Sequence, residues 1–259
     1  MMAGRLAIQD EDCNWVKGVS GVVAELYHYT DKVKSGELTD AEALALLRSR
    51  RASREAADRP SPPLVVKTHE PWSVGHPFAG ESSNAVLLVR NPRDMLISAI
   101  NYRRLQGDAE LDAEAFAREF IEHGTSKKWI RRGYGPWFEH YRSWTEQRDV
   151  PVHVVRYETL KTEPVEALME LGGFLGLAIG EEAAARAVER SSMENLRKRE
   201  VEARGQGELS QYKEGYFFIN QGRSAQSLDD IAPGLDAAFD ARYERELAEM
   251  GYGRQPARS

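Results

Sequence analysis

The stretch Ala85-Val86-Leu87-Leu88-Val89-Arg90-Asn91-Pro92-Arg93-Asp94 decides how this chain reads. Five apolar residues in a row, with no polar alternation, predict a buried parallel strand covered on both faces. Asn91 then offers an N-cap and Pro92 a first helical position, which predicts a helix to about Leu105. The strand ends in a guanidinium just before a helix N-terminus. In open α/β sheets ligands bind at the carboxyl ends of strands, and helix N-termini aim backbone N–H groups at anions. Arg90 adds a planar fork of donors suited to a phosphate, and Ser98 adds a hydroxyl two turns on. The alternative is that Arg90 pairs with Asp94 and Ser98 merely packs.

Working outward, two further strands fit the same scheme. Leu64-Val65-Val66-Lys67 is bounded by prolines on one side and a Pro/Gly/Ser-rich loop on the other, and Val152-His153-Val154-Val155-Arg156 is the third strand. Lys67 and His69 lie two apart on an extended segment, so they point to one side. A cation and a group that accepts a proton near neutral pH thus meet there, although a histidine seen alone is more often structural. Tyr157 follows the third strand directly, either reaching into the same crevice or capping the core. Helices are predicted from the capping box Thr39-Asp40-Ala41-Glu42 to about Ala57 and from Asp112 to His123. Others run from about Pro136 to Gln147, from Pro164 to Leu175, over 181–190, over 192–199 and from Leu235 to Met250. Val201 to Ser227 reads as a long, mobile loop. The basic runs Lys127-Lys128 with Arg131-Arg132, and Arg197-Lys198-Arg199, read as solvated faces, with attraction of an anionic acceptor or of an anionic cofactor as the functional alternative. Strands alternating with helices favour an α/β fold, a parallel sheet flanked by helices.

Composition sets the outer limits. The chain has 259 residues, ordinary globular composition and a formal charge of −6. That balance argues against general nucleic-acid binding. One cysteine, Cys13, excludes an internal disulfide and leaves no zinc-ribbon or iron–sulfur ligand set. The longest apolar run is far short of the roughly 20 residues of a membrane span, and no secretory core is seen near the start. A cytoplasmic protein without a membrane partner and without a metal site is expected, with its oligomeric state open.

The order and spacing of these pieces resemble the sulfotransferase family that uses 3'-phosphoadenosine 5'-phosphosulfate (PAPS). The matching segments are Leu64 to His69, Val89 to Ser98, Tyr134-Gly135-Pro136-Trp137-Phe138-Glu139-His140 with Trp144, and Arg156-Tyr157-Glu158-Thr159-Leu160-Lys161 with the helix ending Phe174-Leu175-Gly176. Phe217-Phe218-Ile219-Asn220-Gln221-Gly222, followed by the closing helix and Gly251-Tyr252, is a weaker match. The resemblance implies a single domain over 1–259, in the sulfotransferase variant of the P-loop nucleotide-binding fold, with residues 1–60 a divergent or incomplete N-terminal part. It implies PAPS as cofactor and a small-molecule hydroxyl or amine as acceptor. It implies His69 as the base and Lys67 as an orienting cation. Arg90 and Ser98 would hold the 3'-phosphate, Tyr157 and Ser191 would lie at the adenine, and Gly222 and Arg223 would belong to the closing loop.

The chain departs from the family in two places. The usual turn Pro-Lys-Ser-Gly-Thr-Thr-Trp, which holds the 5'-phosphosulfate, has its nearest counterpart in Lys17-Gly18-Val19-Ser20-Gly21, followed by Val22-Val23-Ala24. The usual Arg-Lys-Gly of the closing loop reads Asn220-Gln221-Gly222, with Arg223 one position later. Two alternatives therefore stand beside the enzyme. One is a non-catalytic binding protein or truncated product lacking the phosphosulfate loop. The other is a nucleotide-dependent kinase, which would need a Gly-rich loop and magnesium ligands.

Overall fold

The computed structural model describes residues 37, 39, 41–42, 45–46, 49, 68–73, 80, 82–206, 209, 212–219 and 222–253. The chain divides into two compact units, residues 2–83 and residues 84–259. In the first, the capping box forms as expected. The Thr39 backbone N–H donates to Glu42 Oε2 at 2.7 Å, and the Glu42 N–H donates to Thr39 Oγ1 at 3.2 Å. Residues 41, 42, 45, 46 and 49 are helical. The expected strand from Leu64 to Lys67 and the Lys17–Gly21 turn lie outside the described residues.

The second unit starts with strand β1 (Ala85–Val89), which runs straight into helix α1 (Pro92–Leu105). Asn91 caps that helix through its side-chain oxygen, which accepts from the Arg93 N–H at 3.0 Å, and Pro92 opens it. Helix α2 (Ala113–His123) is capped by Asp112, which accepts from the Ala115 N–H at 2.9 Å, and ends on Gly124. The short α3 (Lys127–Arg131) and α4 (Trp137–Glu146) lead to strand β2 (Val152–Arg156). After β2 come α5 (Tyr157–Thr162), α6 (Pro164–Phe174), α7 (Glu181–Arg190) and α8 (Met193–Gly205). A 3-10 turn (Leu228–Asp230) and α9 (Leu235–Glu249) close the unit. Helices α3 and α5 carry no apolar periodicity of their own, so the sequence does not announce them.

Strands β1 and β2 pair in parallel, with Ala85 opposite Val152 and Val89 opposite Arg156. A parallel pair with intervening helices is the α/β arrangement that the alternation of elements predicts. One expectation is corrected here. Leu87 and Val89 are buried, whereas Val86 and Leu88 are 37% and 56% exposed. Successive side chains point to opposite faces, and within this unit only one face of β1 is covered. A second correction concerns the C-terminal third. Helix α8 continues through Val201 to Gly205, so the expected loop starts later, and its far part is held by hydrogen bonds.

The core sits between α2, α4 and α9. Leu235, Phe239, Tyr243 and Leu247 recur at i, i+4, i+8 and i+12 on α9 and are all buried. Trp137 stacks on Phe239 with centroids 6.4 Å apart and meets Tyr243 edge-on at 5.3 Å. The Tyr243 hydroxyl donates to the Ile121 carbonyl at 2.7 Å. Gly124 is obligatory beside it. Its φ is +68°, and a Cβ there would lie 2.9 Å from Pro136 Cβ. Among the described residues no helix is long and apolar enough to cross a membrane.

Candidate active site

The register of the two strands builds the site. Val89 lies opposite Arg156, so the residues that follow, Arg90 and Tyr157, leave the sheet side by side. The Arg90 guanidinium carbon sits 4.4 Å from the centre of the Tyr157 ring, a cation–π contact. One terminal nitrogen of Arg90 donates to the Arg223 carbonyl at 2.9 Å. The Arg90 Nε is buried and has no hydrogen-bond partner among the described residues. A buried guanidinium N–H without an acceptor is costly, so this donor is free to meet an anion entering at the strand ends. Arg90 does not pair with Asp94, which removes the purely structural reading of that pair.

The two strand ends are sewn together by Glu158. Its Oε1 accepts from the Asn91 backbone N–H at 2.9 Å, and its Oε2 accepts from the Tyr252 hydroxyl at 2.8 Å. Burial, reinforced by this carboxylate, pushes the Tyr252 phenol far above its ordinary range, so it remains a donor. The Arg156 guanidinium lies 4.9 Å from the Tyr252 ring centre. The C-terminal tyrosine thus locks the β1–α1 turn that presents Arg90.

The loop over the site is clamped at both ends. Asp94 is fully buried and accepts from the backbone N–H groups of Ala225 and Gln226, each at 3.0 Å. Asn101 Nδ2 donates to the Phe217 carbonyl at 3.3 Å. Asp94, Ser98 and Asn101 stand at i, i+4 and i+7, one stripe of α1. Ser98 therefore lies on the stripe that faces the loop, between its two anchors, and is itself exposed. From α8, Glu200 is fully buried and accepts from the Phe218 and Ile219 N–H groups at 2.7 and 2.8 Å. Arg204 donates to Glu200 at 3.1 Å and to the Tyr216 carbonyl at 2.7 Å. Arg197, expected on a solvated face, instead covers the Phe217 ring at 3.4 Å and donates to the Ile219 carbonyl.

Further along the loop, Gly222 has φ of +57°, and a Cβ there would meet Met193 Sδ at 3.0 Å and Lys161 Nζ at 3.4 Å. Met193 begins α8 just beyond Ser191, so the α7–α8 turn joins the group. The structure thus gathers Arg90, Tyr157, Gly222, Arg223 and the Ser191–Met193 turn, with Ser98 on the stripe of α1 that the loop crosses. Arg223 and Ser191 are exposed. His69 belongs to the other unit, where it is half-buried beyond Thr68, whose Oγ1 accepts from the Glu70 N–H at 3.0 Å. Lys67 lies outside the described residues, as do Asn220 and Gln221. Sequence reasoning named Asp94 only as a possible partner of Arg90, met Glu158 and Lys161 only inside a matching segment, and passed over Glu200 and Arg204. Their one sequence signal is a charged side chain on or beside a helix whose partner lies far along the chain.

A family model described as a sulfotransferase domain matches residues 11–251. The rat protein "Sulfotransferase 2A6" is 23% identical over 199 residues, covering 75% of this chain and 67% of the relative. The mouse protein "Sulfotransferase 1B1" is 27% identical over 139 residues, covering 52% and 44%. Among solved structures, retinol dehydratase in complex with androsterone and the inactive cofactor PAP aligns with a TM-score of 0.59 at 22% identity, covering 85% of this chain and 64% of that one. A mouse sulfotransferase complexed with PAP aligns with a TM-score of 0.57 at 19% identity, covering 76% and 70%. The chain thus spans 64% of the retinol dehydratase structure and 44% of the mouse relative.

Proposed function

The chain belongs to the sulfotransferase family, and on that premise we propose that it moves a sulfuryl group from PAPS to a hydroxyl or amine of a small molecule. The observation that carries the reading is Arg90, with a buried Nε that has no partner among the described residues, its ring contact with Tyr157 and its bond to the loop at Arg223. These residues fit a phosphorylated adenine nucleotide. The guanidinium supplies a fork of donors for a phosphate, and Tyr157 supplies an aromatic face beside it. Ser98 adds a hydroxyl on the adjoining stripe of α1. Ser191 is the polar group proposed for the adenine side. Gly222 leaves the backbone free of a side chain where Met193 and Lys161 already crowd it.

PAPS, when bound, supplies the activated sulfuryl group. The chain's part is positioning and charge neutralisation, the main terms in transfers of this kind. Lys161 brings an ammonium beside the loop position where the family's own cations are replaced by Asn220 and Gln221. Arg223 adds a second exposed cation in the loop. His69 is proposed to take the acceptor's proton at a ring nitrogen, with Lys67 holding charge nearby. Residues 1–259 are read as one functional domain, supported by a family match that runs through both units.

A sulfate-transfer assay with wild type and His69→Ala tests the catalytic reading. Loss of turnover with retained binding of adenosine 3',5'-bisphosphate is expected. Turnover unaffected by the change removes His69 from the mechanism. A second reading is binding without transfer, favoured by Val22-Val23-Ala24 in the place of the family's two threonines and tryptophan. Bisphosphate binding by a wild type that transfers no sulfate with any acceptor selects it.

A further inference from the structure

Asp94 stands in the first turn of α1, one helical turn after Arg90, and is fully buried. Among the described residues no cation pairs with it, and Arg93 beside it turns to Asp240 on α9. What Asp94 holds is backbone. Its Oδ2 accepts from the Ala225 N–H and its Oδ1 from the Gln226 N–H, each at 3.0 Å, and the Gln226 side chain adds a third donor at 3.3 Å. A buried carboxylate satisfied only by N–H groups ties those groups down, because freeing them leaves the charge bare. The backbone it holds is strained. Ala225 has φ of +58°, the one non-glycine residue in the left-handed region among the described residues. Such a conformation persists only where its surroundings impose it. The Ala225 side chain is exposed, so the Asp94 carboxylate is what imposes it here. Two residues earlier in the loop, the Arg223 carbonyl accepts from a terminal nitrogen of Arg90 at 2.9 Å. The two charges at the start of α1 thus grip one short segment, Arg90 by a carbonyl and Asp94 by two amides. Contact with the Tyr157 ring holds the guanidinium carbon of Arg90 in place but does not by itself fix the direction of the fork. The Arg223 carbonyl fixes it, and that carbonyl is at most about 7 Å of chain from the Ala225 amide.

We propose that Asp94 is a positioning residue for the anion site. Through Ala225 and Gln226 it seats the Arg223 carbonyl on one arm of Arg90, which leaves the Nε edge of the guanidinium for the incoming phosphate. The proposal rests on the sulfotransferase reading for the identity of that phosphate, a nucleotide's. The link runs both ways. A seated loop that orients Arg90 for the phosphate is itself favoured, by the same factor, when the phosphate is on Arg90.

Two measurements on the full chain test it, with adenosine 3',5'-bisphosphate as the probe. The first is a double-mutant cycle read by calorimetry. Asp94→Asn keeps the shape but turns an N–H donor toward the loop amides, and it is expected to weaken binding about 5- to 50-fold. In the Arg90→Gln background the same change is expected to cost less than about twofold, because the group it orients is gone. A residue that only supports the fold weakens binding equally in both backgrounds. Equal losses therefore overturn the proposal, as does an Asp94→Asn chain that binds like wild type. Ala225→Val reaches the same link without touching the core, and decides the matter where Asp94→Asn does not fold. A β-branched residue resists φ of +58°, and the same background-dependent loss is expected. The second measurement needs no variant. Hydrogen exchange at the Ala225 and Gln226 amides is expected to slow about fivefold or more when the bisphosphate binds. Exchange there that ignores the bound ligand overturns the link. A wild type that does not bind the bisphosphate removes the nucleotide reading and the proposal together, whereas binding with equal losses in both backgrounds removes the proposal alone.

Discussion

Arg90 shows how much one residue owes to its neighbours. Its position at a strand end and before a helix makes it an anion-binding candidate in the sequence. Its competence comes from two contacts and one vacancy that no local rule supplies: the Tyr157 face at 4.4 Å, the Arg223 carbonyl at 2.9 Å, and a buried Nε with no acceptor among the described residues. Arg90→Gln keeps a planar polar group but removes the charge and the fork. Bisphosphate affinity is expected to fall about 10- to 100-fold, in line with one or two charge-assisted hydrogen bonds lost. Calorimetry reads the affinity, and an unchanged far-UV spectrum shows that the fold persists. Retained affinity in that variant places the phosphate elsewhere.

At the scale of elements, the loop from 216 to 227 is placed by two helices rather than by its own turn chemistry. Helix α1 holds it through Asp94 and Asn101, and α8 holds it through Glu200, Arg204 and Arg197. A fully buried carboxylate is tolerable only because two backbone donors and a guanidinium satisfy it. Glu200→Gln leaves the shape but replaces an acceptor oxygen by an N–H donor facing other N–H groups. A loss of about 1–3 kcal/mol in stability is expected. Hydrogen exchange at Phe218 and Ile219 is expected to speed up more than exchange in α9. Uniform change across the chain would show that the residue supports the whole unit and not the loop. The sequence reading of Val201 to Ser227 as a long, mobile loop missed these anchors for a definite reason. Glu200 and Phe218 are eighteen residues apart, and nothing in the composition of α8 marks one glutamate among several as buried.

For the whole molecule, α9 and its aromatic face tie the closing segment to the body. Arg142 on α4 donates to both Glu249 oxygens, at 3.0 Å from Nε and 2.6 Å from a terminal nitrogen. That hydrogen bond holds the Glu249 carboxyl below its ordinary value of 4.5, against a smaller opposing effect of burial. A carboxylate whose folded value is depressed stabilises the fold above the unfolded value. That contribution is lost as pH falls through the folded value. Glu249→Gln is therefore expected to cost a little at neutral pH, well under about 1 kcal/mol because the pair is screened by solvent. The difference from wild type is expected to close as the pH drops below about 4.5. Thermal melts over that range check it, and a gap that widens in acid refutes the assignment.

Local patterning was enough for most of the architecture. The apolar run Ala85–Val89, the Asn91–Pro92 cap, the Asp112 and Gly124 pair and the spacing of Leu235, Phe239, Tyr243 and Leu247 all became the elements they describe. Each is encoded within a few residues, where propensity, capping and periodicity act. The family resemblance added the candidate site in the same way, through short segments in order. Other features came only with the folded chain. These are the side-by-side emergence of Arg90 and Tyr157, the lock by Glu158 and Tyr252, and the clamps on the loop. They depend on partners tens to more than a hundred residues apart, and a contact of that kind exists only once strand register and helix packing have brought its two halves together.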